Sequence, residues 1–213
     1  MTTQQKTFDI DRDKYLYLKG LVDKKSCDEL TAHLIELADL NLLYSDNQCP
    51  DSGAIFGDSK FDHALEQLLP YVEQVVGKKL YPTYSYARLY NKSEGLHAHT
   101  DRPSCEISLT LTLGYFGNPW PFWVGELSDD DTQRAVVMIK KDGNGKIVYV
   151  KNEVSINMDV GDAVLYKGTD LLHWRYPYAE GRNQAQVFLH YVDANGPYAD
   201  YKYDGRDKLA HHV

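Results

Sequence analysis

The chain has 213 residues, with 23 basic against 31 acidic side chains and a net charge of −8. That length suits one domain with a sizeable core. The basic residues are scattered, so no stripe can neutralise a phosphate backbone and nucleic acid is excluded as a partner. Cys27, Cys49 and Cys105 are odd in number and lack CxxC spacing, which argues against a disulfide framework or a thiolate zinc site and for a reducing, cytoplasmic setting. Met1 to Lys6 is polar, and no stretch approaches the roughly 18 apolar residues of a membrane span, so no membrane partner is expected.

Ser26-Cys27-Asp28-Glu29 has the spacing of a capping box, and Leu30, Leu34 and Leu37 follow at i, i+4 and i+7, which predicts a first helix. Asn41 to Ser59 is rich in Asn, Asp, Ser, Gly and Pro and reads as a loop. A second helical pattern runs from Phe61 through Leu65, Leu68, Leu69, Val72, Val75 and Val76 to Gly77, which can end it in a left-handed conformation; Pro70 is expected to kink or restart it.

Beyond Gly77 the pattern changes to short β-branched or aromatic runs separated by turn signals. They are Tyr81 to Tyr90, Cys105 to Phe116, Arg134 to Lys140, Ile147 to Val150, Val154 to Met158, Ala163 to Tyr166 and Gln186 to Val192. Asp142-Gly143-Asn144-Gly145 is expected to be a hairpin turn. Helices first and strands afterwards, without alternation, exclude a parallel α/β sheet and predict a sandwich or barrel capped by helices. The expected division is a helical part at 1–79, a β core at 80–195 and a tail at 196–213, all of one domain.

Among eight histidines, only His99 and Asp101 form an HxD, a pattern expected about once by chance in such a chain. Two histidines and one carboxylate make a facial triad that leaves positions open for a bidentate co-substrate and oxygen, the set used for non-haem iron(II). His173 supplies the second histidine, because Gly161-Asp162-Ala163-Val164-Leu165-Tyr166 reads as a turn into a buried strand and His173 follows just past its end. His97 shares the face of His99, but only His99 has an aspartate two residues on.

The segment from Tyr90 to Asp101, with Gly95 between, resembles the Y…G…HxD segment of iron(II)- and 2-oxoglutarate-dependent oxygenases, and is most similar to their prolyl 4-hydroxylase-like branch. The resemblance extends from about Pro82 to Val192 in the order Tyr, HxD, GDA-type strand, distal His and basic residue. It implies a mainly β chain with N-terminal helices, folded as a double-stranded β-helix (a cupin-like jelly roll). It implies Fe(II) on His99, Asp101 and His173, 2-oxoglutarate as co-substrate, O2 as oxidant, and Tyr90 beside the co-substrate.

The resemblance also implies a basic residue that pairs with the far carboxylate of 2-oxoglutarate. Arg182 stands nine residues after His173 and fits, but matching the Leu189-His190-Tyr191 end of the strand to the family puts Gln184 at that place. Arg88 and Arg175 are the other candidates. Arg88 shares a strand face with Tyr84, Tyr86 and Tyr90, and Arg175 lies just beyond His173. A guanidinium suits the task because its fork matches a carboxylate with two parallel hydrogen bonds.

Because Asp101 retains the carboxylate that related halogenases lack, the resemblance implies hydroxylation of an unactivated C–H bond. The substrate would be a peptidyl proline, an amino acid or a small metabolite. A non-catalytic cupin-like module that binds a small ligand is the alternative, and succinate release separates the two. Trp120 to Trp123 reads as core or rim, Arg102 and Glu106 as a surface pair, Asp129 to Asp131 as a solvated loop, and Cys105 as a small buried side chain.

Overall fold

In Ile107-Ser108-Leu109-Thr110-Leu111-Thr112-Leu113 every second residue is apolar, and a strand sends such a set to one face and the hydroxyls to the other. The computed structural model describes residues 8–139, 145–178 and 181–210, with the side chains of Ile139, Gly181 and Arg182 excepted. In chain order the elements are α1 (Ile10–Asp13), β1 (Tyr15–Leu18), α2 (Lys24–Asp39), β2 (Gly53–Phe56), α3 (Ser59–Val76), β3 (Leu80–Asn91), β4 (Leu96–His99), β5 (Ile107–Gly117), β6 (Phe122–Ser128), β7 (Arg134–Ile139), β8 (Gly145–Ile156), β9 (Ala163–Lys167), β10 (Leu172–Arg175) and β11 (Gly181–Asp193).

One sheet has the order β1-β9-β5-β11-β3-β2, and a second, β10-β4-β7-β8-β6, closes on itself. Its seam is a single parallel pair, Ala98 with Met138. In the larger sheet the alternation divides the residues as the pattern demands. Leu109, Leu111, Val187, Leu189 and Ala87 join Leu34, Leu37, Phe61, Leu65 and Val72 of α2 and α3 in the main core. The opposite face carries Ser108, Thr110, Gln184, Gln186 and His190, all buried. Burying so many polar groups is costly unless they are bonded, so this face is where a site belongs. The molecule is therefore mainly β, a two-sheet roll with helices on one outer side.

The two long helices form where the apolar periodicity puts them, with differences at their starts. Asp23, rather than Ser26, caps α2: its carboxylate accepts from the Ser26 amide at 3.0 Å and the Ser26 hydroxyl at 2.7 Å. A carboxylate is as good a cap as a hydroxyl, and the helix begins a turn earlier. Helix α3 starts after Asp58, which accepts from Lys60 and Phe61, and ends at Gly77 with φ 68°. Pro70 neither ends nor restarts it. The helix continues because Leu65, Val72 and Val76 are buried on either side of the proline, so tertiary packing outweighs the one lost hydrogen bond.

Other departures have similar causes. The loop from Asn41 to Ser59 contains β2, paired with β3 from Gly53↔Leu89 to Phe56↔Tyr86. The two runs from Ile147 and Val154 are one strand, β8, whose register against β6 shifts between Val124 and Glu126. Asn152 takes φ 52° there, a conformation Asn tolerates. Residues 142–144 of the expected hairpin turn lie outside the described residues, but β7 and β8 pair antiparallel up to Ile139↔Gly145. Arg102 does not pair with Glu106. It donates twice to Asp204, at 2.8 and 2.6 Å, while Glu106 meets Lys167 at 3.4 Å. The tail is docked: fully buried Asp62 of α3 accepts from Arg206 at 2.7 Å, the Ala210 amide at 2.9 Å, and the Ser85 hydroxyl at 2.7 Å. No helix among the described residues is long and apolar enough to cross a membrane.

Candidate metal centre

Strands β4 and β10 run antiparallel with His99 directly opposite His173, and their rings lie 4.3 Å apart. Chain ends of a sheet leave room for a turn, and Asp101 follows β4 by two residues. Its amide donates to the Gly168 carbonyl at 2.8 Å, which swings the carboxylate back over the two rings. Asp101 Oδ1 stands 3.5 Å from His99 Nε2 and 3.4 Å from His173 Nε2. Two ligands held about 2.1 Å from a shared ion are roughly 3.0–3.6 Å apart for bond angles of 90–120°, so both edges suit one first-row metal. The three donor atoms all lie within 4.8 Å of one another.

The rings are oriented for that use. His99 Nδ1 faces the His97 carbonyl at 2.8 Å and His173 Nδ1 faces that of Leu171 at 2.9 Å. A ring that donates from Nδ1 keeps its Nε2 lone pair for a metal. Asp101 is steadied through its other oxygen, which accepts from Ser108 at 3.2 Å. Burial pushes the Asp101 carboxyl up, but the adjoining His173 and His99 rings outweigh it and hold the group well below the usual carboxylate range. Burial works against a proton on His99, yet the same carboxylate raises its affinity on balance. Phe122 and Tyr166 pack on His173 with ring centres 5.6 and 4.8 Å away.

Gly168 completes the cradle. A Cβ there would collide with the Cys105 carbonyl and the Asp101 carboxylate, so only glycine lets the turn after β9 approach this closely. Neither Gly168 nor Ser108 stands out in the sequence, because each acts on Asp101 across a gap that only the fold closes. Asp101, Cys105 and His190 also converge within 4.8 Å. The latter two already have partners: Cys105 Sγ meets the Tyr84 hydroxyl at 2.9 Å and His190 Nδ1 meets Ser108 at 2.8 Å. Burial pushes the Cys105 thiol up to about 12.

The candidate arginines differ sharply. The side chain of Arg182 lies outside the described residues. Gln184 sits opposite Tyr90 across β3 and β11, bonded to Gln186 at 2.8 Å and to the Trp120 amide at 3.3 Å. Arg88 is buried on β3, with Nη2 donating to Asp46 and approaching the Tyr86 hydroxyl at 3.1 Å; its Nε and Nη1 have no partner among the described residues.

Arg175 is also buried, with its guanidinium 5.0 Å over Trp120 and 5.5 Å over Phe122, the ring that also packs on His173. Its Nη1 donates to the Trp120 carbonyl, while Nε and Nη2 have no partner among the described residues. Those two hydrogens lie along one edge of the guanidinium plane, the edge that takes a carboxylate side-on. On Arg88 the corresponding edge is already half used. Tyr90 is buried, its ring centre 4.9 Å from that of Trp120 and 5.3 Å from the Arg88 guanidinium. A cavity of about 1110 Å³ opens onto His99, Asp101 and His173 and is also lined by Asp46, Tyr86 and Arg88.

No protein-family model matches the sequence, and no curated protein matches it significantly. Solved structures do match. A Pseudomonas putida prolyl-4-hydroxylase superposes with TM-score 0.61 at 12% identity, covering 87% of this chain and 95% of its own. SnoN, a non-haem α-ketoglutarate-dependent epimerase from nogalamycin biosynthesis, gives 0.66 at 12% identity over 93% and 86%. HygX from Streptomyces hygroscopicus, solved with nickel, 2-oxoglutarate and hygromycin B, gives 0.60 at 15% identity over 96% and 95%. With its two-sheet roll and convergent His99, Asp101 and His173, the chain has the double-stranded β-helix fold of the iron- and 2-oxoglutarate-dependent oxygenases.

Proposed function

We propose that this protein is an Fe(II)- and 2-oxoglutarate-dependent dioxygenase that hydroxylates an unactivated C–H bond. In this reading His99, Asp101 and His173 hold the iron, and Arg175 with Tyr90 holds the far end of 2-oxoglutarate. The observation that carries it is the pairing of a metal-ready triad with a buried arginine that meets no carboxylate among the described residues and shares strand β10 with His173. His173 and Arg175 are two residues apart in β10, about 6.6 Å by strand rise, a span suited to a five-carbon diacid bound at one end by metal and at the other by a guanidinium.

Bound there, the iron and its co-substrate supply oxidising power, with release of succinate and CO2; the protein supplies placement. His99 and His173 would offer their Nε2 atoms, each ring oriented at Nδ1 by a backbone carbonyl, and Asp101 would add a carboxylate held by Ser108. The aromatic packing of Phe122 and Tyr166 keeps water from one side of His173. Asp101 would hold the metal through a carboxylate and so leave no place for a halide, which favours hydroxylation over halide transfer. The matched structures act on or bind small molecules and peptides: HygX was solved with hygromycin B, and a Trichoplax adhaerens prolyl hydroxylase with a hypoxia-inducible factor peptide. The same kinds of substrate are proposed here. Three buried free thiols, Cys27, Cys49 and Cys105, support a cytoplasmic setting.

Oxygen-dependent formation of succinate from 2-oxoglutarate by the iron-loaded protein tests the proposal. Activity that disappears in His99→Ala and His173→Ala supports it; wild-type turnover in either variant removes that residue from the centre.

A further inference from the structure

Arg88 and its surroundings carry information about the substrate, given the oxygenase reading above. Its guanidinium lies 5.3 Å from the ring centres of both Tyr86 and Tyr90, so two aromatic rings fix it on the cavity wall. One nitrogen is engaged by Asp46, whose carboxylate also accepts from the Tyr86 hydroxyl at 2.6 Å and from the Gln48 and Cys49 amides at 2.9 and 3.0 Å. Among the described residues, Nε and Nη1 remain buried donors without a partner. A buried donor left unmade is costly, and since the two lie on different edges of the guanidinium, one acceptor oxygen can satisfy one of them.

The charge of that acceptor follows from its neighbours. Among the described residues, the cavity wall carries four Asp or Arg side chains, Asp46, Arg88, Asp101 and Arg102, and no Lys or Glu. Asp101 belongs to the metal centre. Arg88 is neutralised by Asp46, and Arg102 by Asp204. A substrate anion at Arg88 would meet the Asp46 carboxylate on the same guanidinium, and like charges at that range repel. A substrate cation would find Asp46 with both oxygens already engaged. A neutral oxygen acceptor fits both constraints. Around it the wall is aromatic: Phe56 stacks on Tyr84 at 4.7 Å, and Tyr86 faces Phe188 at 6.4 Å. Such ring faces take flat or cyclic groups.

We propose that the substrate is an uncharged, ring-bearing small molecule whose carbonyl or similar neutral oxygen accepts from Arg88, and that Asp46 sets this selectivity by cancelling the arginine's charge. Free amino acids, which carry both charges, are thereby disfavoured.

Three probes sharing one ring system test this: 2-acetylnaphthalene, 2-naphthoate and 2-naphthylmethylammonium. Binding is measured by calorimetry without oxygen on protein loaded with Fe(II) and 2-oxoglutarate. The neutral ketone is expected to bind at least tenfold tighter than either charged probe. Asp46→Asn, which frees the charge of Arg88, should tighten naphthoate at least tenfold, and Arg88→Gln should weaken the ketone about tenfold. Naphthoate binding as tightly as the ketone to the wild type overturns the proposal, whatever the variants do. So does an order unchanged by Asp46→Asn, or no binding of any probe at millimolar concentration. The iron–co-substrate absorption band is recorded in the same samples. A protein that prefers the ketone but shows no band contradicts the oxygenase reading and leaves the substrate selectivity standing.

Discussion

Replacing Arg175 should separate function from stability in opposite directions. Burial lowers the affinity of this guanidinium for its proton, to about 10 from 12.5. At roughly 1.4 kcal/mol per pKa unit, carrying that charge costs the fold on the order of 3 kcal/mol. The folded protein holds the proton less tightly than the unfolded chain. The cost is therefore fully present at pH 7 and is relieved as pH rises through about 10. Arg175→Met removes the charge and keeps most of the volume, at the expense of the Trp120 carbonyl bond, worth about 1 kcal/mol.

The net expectation is apo protein more stable by about 1–2 kcal/mol, or roughly 2–8 °C in Tm. Binding of 2-oxoglutarate should collapse in the same variant. Two charge-assisted hydrogen bonds at about 1.5–3 kcal/mol each give a loss of at least a hundredfold in affinity. Arg175→Lys keeps charge but not the fork, and should raise KM for 2-oxoglutarate about 10- to 100-fold with kcat little changed. Thermal unfolding and co-substrate titration of the two variants decide the matter. Unchanged 2-oxoglutarate affinity in Arg175→Met, with a lowered Tm, would show the arginine to be structural and refute the reasoning.

Other substitutions report on the frame around the metal. Ser108→Ala frees one Asp101 oxygen from its hydroxyl partner and should weaken metal affinity about 10- to 100-fold, measured by Fe(II) or Co(II) titration, and because buried His190 Nδ1 loses the same hydroxyl it should also cost about 1–3 kcal/mol in stability. Gly168→Ala forces a methyl into the Asp101 carboxylate and the Cys105 carbonyl; it should cost about 1–3 kcal/mol and reduce metal affinity, read from thermal unfolding with and without metal. Asp62→Ala leaves the Ser85 amide and Arg206 without their buried carboxylate and should cost about 3–5 kcal/mol, lowering Tm by roughly 6–20 °C.

The parts of this fold legible in the sequence are those where one period runs long enough to be seen. The apolar face of α3 and the alternation of β5 and β11 span many residues, so core and site faces follow from them. Strands β4 and β10, which carry the two histidines, are four residues each. Leu96-His97-Ala98-His99 and Leu172-His173-Trp174-Arg175 are too short and too polar to announce themselves, and only their mutual pairing makes them strands. His99, Asp101 and His173, which the fold brings together, are nonetheless singled out in the sequence through residue type and order rather than through secondary structure.

What no linear reading supplies is which arginine matters. Arg88, Arg175 and Arg182 are alike as letters. Arg88 and Arg175 differ in their partners, Asp46 for the first and the Trp120 carbonyl for the second, which reach them across 42 and 55 residues of chain. Asp46 sits in a segment read as loop and gains meaning only from the guanidinium it neutralises.

The central claim, that one centre binds iron and 2-oxoglutarate together, is tested most directly by the visible spectrum of the protein with both under anaerobic conditions. The account predicts a weak metal-to-ligand absorption band in the wild type that is lost in His173→Ala. A metal-loaded wild-type protein that binds 2-oxoglutarate without any such band would contradict it.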